Sequence, residues 1–303
     1  MQGTGTQADP YQITSVDELI EYAKKDDVYL KIMNDIDFNN YSGWMLPTID
    51  VRCFEIDGDG HSLNNIYIKN ASLFNVTDKD GLVFSTRTST FKNMTMEIIQ
   101  IGNAPIFAGY EHQPSKFSKY IQLLDCDIRI KSYPTNTIFI LFNTAGTGGK
   151  VFINIRRSII NIDAYGCGYG ICLINSVDTS ANSTIEYSEI QVNIYNGNNA
   201  SLNPLIGRVY IDNVAIFVNM DKINNNSNYN LFSYTTLTNS YVIAKQDNLQ
   251  VMSWGFDSST TFLSTCFYNK DYSNLPAVSN LHALTTDQCK SVSKLTELGF
   301  VVS

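Results

Sequence analysis

Two pairs of aspartates could carry out chemistry on a polysaccharide. Asp35 and Asp37 are two residues apart, and so are Asp125 and Asp127. Side chains two residues apart in a strand point to the same face, so each pair would present two carboxyl groups to one surface. Paired carboxyl groups catalyse glycoside hydrolysis, one as acid and the other as base or nucleophile. Outward-facing solvated charges explain the same residues equally well, so the sequence assigns no catalytic residue.

A further acidic cluster, Asp57-Gly58-Asp59-Gly60-His61, combines two carboxyl groups with an imidazole. Carboxylate oxygens can hold calcium, and a carboxyl group beside an imidazole can act as acid and base. Aspartate alternating with glycine is also typical of a tight corner, in which glycine takes positive φ and aspartate bonds the turn backbone. We interpret this segment as a corner.

The six cysteines and three histidines do not indicate a metal site. Cys167 and Cys172 have the wrong spacing for a zinc knuckle, and the histidines are far apart in sequence. Cys126 and Cys266 occupy positions that suit a small apolar side chain. We expect free, buried cysteines, no metal and no cofactor.

Tyrosine and asparagine are concentrated in two polar segments, 194–202 and 224–230. Aromatic rings pack against the CH faces of sugars, and neighbouring amides hydrogen-bond to sugar hydroxyls. Loops that are merely rich in asparagine are the alternative. The predicted binding residues in or beside these segments are Tyr195, Asn196, Asn198, Asn226, Tyr229 and Tyr234.

A repeated apolar pattern predicts the scaffold that positions these residues. A large apolar residue is followed three positions later by a small or apolar anchor, and then by apolar residues two and four positions further on. One copy contains Leu63, Ile66 and Ile68. The anchors of the other seven copies are Met94, Cys126, Ser158, Ser188, Val214, Ser240 and Cys266. Their large residues are Phe91, Leu123, Ile155, Ile185, Ile211, Leu237 and Leu263.

The spacing and phase of this repeat predict a solenoid. Successive anchors are 26 to 32 residues apart, and the side chains around them alternate with the period of a strand. The fold class predicted is all-β, a single-stranded right-handed parallel β-helix of about eight coils with an N-terminal and a C-terminal capping helix. A sandwich is disfavoured because Asn196-Gly197 is the only hairpin signal of its kind.

Helical signals at both ends of the repeat predict caps that cover the exposed ends of the stack. Ser15 to Glu18 form a capping box before the apolar face Val16, Leu19, Ile20 and Ala23, and Thr285 to Gln288 repeat that motif. We divide one continuous domain into an N-terminal cap and first coil (1–62), coils (63–270) and a C-terminal helical cap (271–303).

Composition excludes several classes of function. The chain has 303 residues and a formal net charge of −8, with lysine and arginine scattered rather than clustered, so we expect no nucleic-acid partner. It has no stretch of 18 apolar residues, so we expect no membrane insertion. Its first residues have no basic start followed by an apolar stretch, so no secretion signal is visible.

Both ends of the chain resemble the GLUG-type right-handed parallel β-helix proteins of bacterial surfaces and bacteriophage virions. The N-terminal resemblance is in segments 3–13, 29–38 and 55–68 with Trp44, and the C-terminal one is in 266–271, 284–288 and 298–300. These motifs cover about a third of the chain, and the glycine-rich turns that name the family are mostly missing. The resemblance implies the fold and little about activity.

The resemblance and the missing secretion signal together lead us to expect a bacteriophage virion-associated protein, assembled in the host cytoplasm. Its expected role is in the tail or in receptor binding, and its expected partners are host cell-surface polysaccharide and other virion proteins, with a homotrimer as the assembly. We expect binding rather than catalysis. The alternatives are a polysaccharide depolymerase on the same scaffold, and a bacterial surface adhesin or structural decoration protein located at the cell surface.

Overall fold

The computed structural model shows a stack of parallel strands. It describes residues 2–40, 46, 48–76, 87–109, 118–134, 138–143, 150–166, 171–175, 183–195, 205–220, 230–246, 252–253, 255–256, 259–274 and 278–297. The strands, in chain order, are β1 (Tyr11–Ile13), β2 (Tyr29–Ile32), β3 (Ile36–Asp37), β4 (Ile49–Val51), β5 (Glu55–Asp57), β6 (Ser62–Lys69), β7 (Phe74–Val76), β8 (Arg87–Ile101), β9 (Phe107–Gly109), β10 (Ser118–Tyr133), β11 (Ile138–Asn143), β12 (Lys150–Arg156), β13 (Ile159–Tyr165), β14 (Ile171–Asn175), β15 (Thr184–Glu186), β16 (Glu189–Tyr195), β17 (Ile206–Gly207), β18 (Tyr210–Asp212), β19 (Ala215–Met220), β20 (Asn230–Ser233), β21 (Thr236–Thr238), β22 (Tyr241–Gln246), β23 (Met252–Ser253), β24 (Gly255–Phe256), β25 (Thr261–Phe262), β26 (Cys266–Asn269), β27 (Ser273–Asn274) and β28 (Leu281–Leu284).

Two parallel sheets wind around one core, which confirms the predicted fold class as an all-β parallel solenoid. Eight strands, β4, β7, β9, β11, β14, β17, β20 and β24, form the second sheet. Within the described residues the first sheet has eighteen strands, and β23 pairs separately with β27. The first sheet also continues past the eight copies of the repeat, with β1 to β3 before them and β28 after them, so the stack is longer than the repeat alone predicts.

The large apolar residues of the repeat form one inward row. Six of them pair in register from coil to coil, and each is fully buried, so each contributes about 1.5–3 kcal/mol from the apolar surface it removes from water. Inward alternation therefore sets the register of the stack. The row consists of Phe91, Leu123, Ile155, Ile185, Ile211 and Leu237.

The first copy of the repeat corrects the sequence prediction. Ile56, not Leu63, pairs with Phe91. Ile66 pairs with Ile98 rather than with the anchor Met94, and the register of β6 shifts between Leu63 and Ile66.

The last copy of the repeat also corrects the sequence prediction. Phe262, not Leu263, pairs with Leu237 and is buried, whereas Leu263 is 58% exposed. Ser240 of the preceding coil bonds the backbone of Phe267, so Cys266 still lies at its predicted anchor level. The corner between the large residue and the anchor therefore contains one residue more in the last coil than in the coils before it. The additional residue is Leu263, which faces outward.

The anchors lie one above another, as predicted, and the buried hydroxyl groups among them bond neighbouring coils. The backbone N–H of Cys126 donates to Oγ of Ser158 at 3.1 Å, and that of Ser158 donates to Oγ of Ser188 at 3.1 Å. Each serine hydroxyl in turn donates to the carbonyl two residues before it, Arg156 or Glu186. These bonds satisfy N–H groups that would otherwise be buried without a partner.

The residue before six of the anchors, those from Met94 to Ser240, has a left-handed backbone. Asparagine and aspartate adopt this conformation most readily among non-glycine residues, and they hold most of these positions. The exceptions are Arg157 and Tyr187. The row, with φ between 47° and 54°, is Asn93, Asp125, Arg157, Tyr187, Asn213 and Asn239. Simple alternation of side chains is therefore interrupted at these six corners.

Helices lie at both ends of the chain, as predicted. In α1 (Val16–Ala23), Oγ of Ser15 accepts from the N–H of Glu18, while the Glu18 carboxylate accepts from the N–H of Thr14 at 2.7 Å. At the other end, Thr285 and Gln288 form the complete capping box of α2 (Thr286–Cys289). The remaining helices are α3 (Val292–Glu297) and a 3-10 turn (Phe38–Asn40).

The described cysteines are free, as predicted, and four of the five are buried. Burial raises the pKa of the Cys126 thiol to about 12, so it stays protonated and unreactive at neutral pH. Cys167 lies outside the described residues. Among the helices that the structure describes, none has the length and apolar composition to cross a membrane.

Candidate functional site

Asp125 and Asp127, one of the two candidate pairs, bind different arginines. Both carboxylate oxygens of Asp125 accept hydrogen bonds at 2.7 Å from the guanidinium of Arg157 on the next coil. Asp127 binds Arg129 instead, with Nε to Oδ1 at 3.3 Å. The left-handed backbone at Asp125 separates the two carboxyl groups. The bond from Arg157 lowers the pKa of Asp125, which makes it a poor proton donor at neutral pH.

Asp35 and Asp37 are also held by structural hydrogen bonds. Asp35 accepts from the backbone N–H of Ser62 at 2.9 Å, and its Oδ1 lies 3.5 Å from Nδ1 of His61. Asp37 accepts from the N–H of Asn39 and from the side-chain amide of Asn65, both at 2.9 Å. These bonds stabilise the charged forms and lower both pKa values, so neither residue suits a general acid.

The 57–61 segment is a corner, as interpreted from the sequence. Oδ1 of Asp57 accepts from the backbone N–H of Asp59 at 3.0 Å and from the side-chain amide of Asn93 at 3.1 Å. Gly60 has φ of +85°, and Gly58 is pressed against the next coil, where an added Cβ would lie 2.4 Å from Cβ of Met94. The described residues contain no cluster of three or more metal-ligating side chains.

Substituting asparagine for the two glycines should destabilise the protein by different amounts. Gly58→Asn should lower the free energy of unfolding by about 1–3 kcal/mol because the new side chain overlaps the neighbouring coil. Gly60→Asn should cost less than about 1 kcal/mol, because asparagine tolerates positive φ and the space around Gly60 is open. Urea unfolding followed by circular dichroism measures both. Equal losses for the two variants would contradict the close packing at Gly58.

Tyr195 and Tyr234, two of the predicted binding residues, lie at different corners of the coil. Tyr195 ends β16, whereas Tyr234 lies between β20 and β21, half exposed, with the guanidinium carbon of Arg208 5.3 Å from its ring centroid. The structure therefore does not bring them together. Asn196, Asn198, Asn226 and Tyr229 lie outside the part of the chain that the structure describes.

The outward face of β8, β10, β13, β16, β19 and β22 carries a groove along the solenoid axis, which sequence reasoning missed. It consists of one hollow of about 500 Å³ and an adjoining one of about 280 Å³, which share Gln191 and Asn193. We call this feature the axial groove, and two rows of residues form its floor. The first row is Glu97, Arg129, Asn161, Gln191, Phe217 and Ile243, and the second is Ile99, Lys131, Asp163, Asn193, Asn219 and Lys245.

Three stacked tyrosines border the axial groove, and one of them is the predicted Tyr195. The ring centroids of Tyr133 and Tyr165 are 5.1 Å apart, those of Tyr165 and Tyr195 are 4.8 Å apart, and both pairs are tilted by only 15°. Tyr165 therefore covers one face of the Tyr195 ring. The stack presents ring edges in a row along the axis. These tyrosines follow their anchors by seven residues each, a signal already present in the sequence.

Charges in the axial groove are largely balanced by one another. Arg129 lies between Asp127 and Glu97, with Nη1 3.5 Å from the Glu97 carboxylate. The Asp163 carboxylate accepts from the Asn193 amide at 2.9 Å. The middle of the groove is made of side-chain amides on neighbouring strands, at Asn161 and Gln191. This arrangement offers hydrogen bonds to a ligand without a strong field of either sign.

Comparison with known proteins gives a distant likeness to a solved structure. No protein-family model matches the chain, and no curated protein matches it. The chain is similar to a crystal structure described as a "putative immunoglobulin A1 protease" from Bacteroides ovatus, with 14% identity, a TM-score of 0.36, and coverage of 87% of this chain and 86% of that chain. A likeness this remote has no bearing on activity.

Proposed function

We propose that the protein binds an extended polysaccharide along the axial groove and does not cleave it. The observation that carries this proposal is the group of neighbouring amides at Asn161, Gln191 and Asn193, bordered by the stacked tyrosines. Amides donate and accept hydrogen bonds at once, which suits sugar hydroxyl groups that do the same. Each tyrosine adds an apolar ring edge and a polar hydroxyl group beside these amides.

The repeat of the groove supports an extended polymer as the ligand. Neighbouring strands are about 4.8 Å apart, so the six coils of the groove span about 24 Å along the axis. Each coil adds one residue to each row. A linear glycan lying parallel to the axis, with a repeat close to this spacing, would place one sugar beside each coil.

The state of the carboxyl groups supports binding rather than cleavage. A glycoside hydrolase needs a general acid whose pKa is raised. In the described part of the chain, every carboxyl group with a shifted pKa has it lowered, at Glu18, Asp35, Asp37, Asp57, Asp125 and Asp271.

We propose a location and biological role for the protein from the family resemblance at the two ends of the chain. Likeness to GLUG-type β-helix proteins supports a bacteriophage virion component that attaches to the polysaccharide of the host surface, as a homotrimer with other virion proteins. An adhesin or decoration protein on a bacterial surface has the same binding face and is the alternative. Electron microscopy of purified particles labelled with an antibody to this chain distinguishes the two settings.

Removing two groove amides tests the binding site. The variant Asn161→Ala with Gln191→Ala should bind immobilised bacterial surface polysaccharides about tenfold more weakly or worse, because each lost hydrogen bond is worth about 1 kcal/mol. Biolayer interferometry measures the affinity. Asn154→Ala is the matched control, since Asn154 is a similarly half-buried asparagine on β12 of the same coil, outside the groove.

Two results would contradict the proposal. Unchanged affinity of the double variant, with wild-type affinity for Asn154→Ala, would exclude the axial groove as the binding surface. Release of new reducing ends or unsaturated uronates from any of the bound polysaccharides would show cleavage, and the depolymerase alternative would then replace simple binding.

A further inference from the structure

We infer that one end of the axial groove is a subsite for the acetamido group of an uncharged amino-sugar polysaccharide. This inference rests on the proposed function and adds the chemical class of the ligand. The acetamido subsite, as we name it, consists of Phe217, Asn219 and Ile243, in the hollow of about 280 Å³.

The first argument is a change of character along one row of the groove. Asn161 and Gln191 are amides, and the next two residues of the same row are Phe217 and Ile243, which pair in register on β19 and β22. Both are half-buried, so each leaves apolar surface at the floor of the hollow. A sugar hydroxyl placed here would lose its hydrogen bonds to water, whereas a methyl group would be stabilised.

The second argument is an amide oxygen without a partner. Oδ1 of Asn219 is buried and accepts no hydrogen bond from any residue that the structure describes. Asn219 lies two residues after Phe217 on the same strand, so both side chains belong to the same face. Rotation of the amide toward a ligand would break no bond to that oxygen and would give it a donor. The N–H of an acetamido group is such a donor, one bond away from the carbonyl that bears the methyl group.

The third argument is the fixed position of the apolar wall. The Phe217 ring meets Tyr241 edge-on, with centroids 5.9 Å apart and planes at 90°, and Tyr241 stacks on Phe267 at 4.2 Å. A ring held in this way keeps the subsite open before a ligand arrives, which lowers the entropy lost on binding.

The charge of the protein favours an uncharged ligand. The net charge of −8 repels polyanions, and Arg129, an exposed cation of the groove, already lies between Asp127 and Glu97. Glu189 and Lys245 both line the hollow, so the subsite itself has no net formal charge.

Two neutral hexasaccharides of one backbone class test the inference: β-1,4-linked N-acetylglucosamine and β-1,4-linked glucose. Isothermal titration with the wild-type protein should give about tenfold tighter binding of the acetylated chain than of the glucose chain. Phe217→Ala and Asn219→Ala should each remove this preference, because each should weaken binding of the acetylated chain about tenfold more than binding of the glucose chain. Asn161→Ala should weaken both neutral chains alike, and circular dichroism confirms that each variant is folded.

The outcomes separate this inference from the function on which it rests. Equal affinity for the acetylated and glucose chains, or a preference that survives both Phe217→Ala and Asn219→Ala, would overturn the acetamido subsite and leave binding in the groove intact. An acidic polysaccharide could bind more tightly than the neutral chains and lose that binding in Asn161→Ala. This result would overturn only the claim that the ligand is uncharged. Failure of the groove variants to alter binding of any polysaccharide would overturn the proposed function itself.

Discussion

Phe262→Ala is expected to lower the free energy of unfolding by about 3 kcal/mol, whereas Leu263→Ala should change it by less than about 0.5 kcal/mol. The two side chains are adjacent and both large and apolar, but Phe262 is 7% exposed and Leu263 is 58% exposed. Phe262 continues the inward row through its pairing with Leu237. Truncating it removes buried contacts and leaves a cavity, and truncating Leu263 does neither. Urea unfolding measures the difference, and we expect the two variants to have equal m-values.

Leu237→Ala is the matched control for this pair. Leu237 is fully buried on the preceding coil, so its truncation should cost about 2–5 kcal/mol. A loss for Leu263→Ala as large as that for Phe262→Ala would show that the last coil follows the uninterrupted spacing of three residues. That result would restore the register that the sequence pattern predicts.

The same pair of residues shows where sequence reasoning ends. The inward row from Phe91 to Leu237 was predictable because each coil spaces its large residue and anchor identically. In the last coil two large apolar residues are adjacent, and the spacing of three residues to the anchor selects Leu263, which is the wrong one. The choice is made by hydrogen bonding to the coil before, where Leu237 accepts from the N–H of Leu263 and turns that side chain outward. Register of this kind depends on pairing between neighbouring coils and not on the local sequence alone.

The candidate site was harder to predict than the fold, for two physical reasons. Strict alternation predicts that Asp125 and Asp127 share a face, but the left-handed backbone at Asp125 breaks that alternation. Asn93 and Asn213 hint at such a corner in the sequence, whereas Arg157 and Tyr187 at the equivalent positions conceal it. The axial groove, in turn, joins residues about thirty positions apart. It becomes visible only when the coils are placed in register.

A cluster of three phenylalanines joins the two sheets, and it gives the other large expected effect. Phe91 on β8 contacts Phe74 on β7 and Phe107 on β9, with ring centroids 4.7 and 5.2 Å apart, and Phe74 and Phe107 are 5.5 Å apart. All three rings are buried. Phe91→Ala should therefore lower the free energy of unfolding by about 3–5 kcal/mol, through the lost burial, the cavity and the lost aromatic pairs.

Phe217→Ala is the control for Phe91→Ala, because it makes the same chemical change on the outward face of the same sheet, and it should cost about 1 kcal/mol or less. In a solenoid each coil contacts only its neighbours, so a defect at one level weakens the two interfaces around it. The coils before Phe91 should then unfold at lower urea than those after it, and the transition should broaden. Hydrogen exchange should show lost protection first in β5 to β7. A sharp, unshifted transition for Phe91→Ala would contradict the role of this cluster in coupling the sheets.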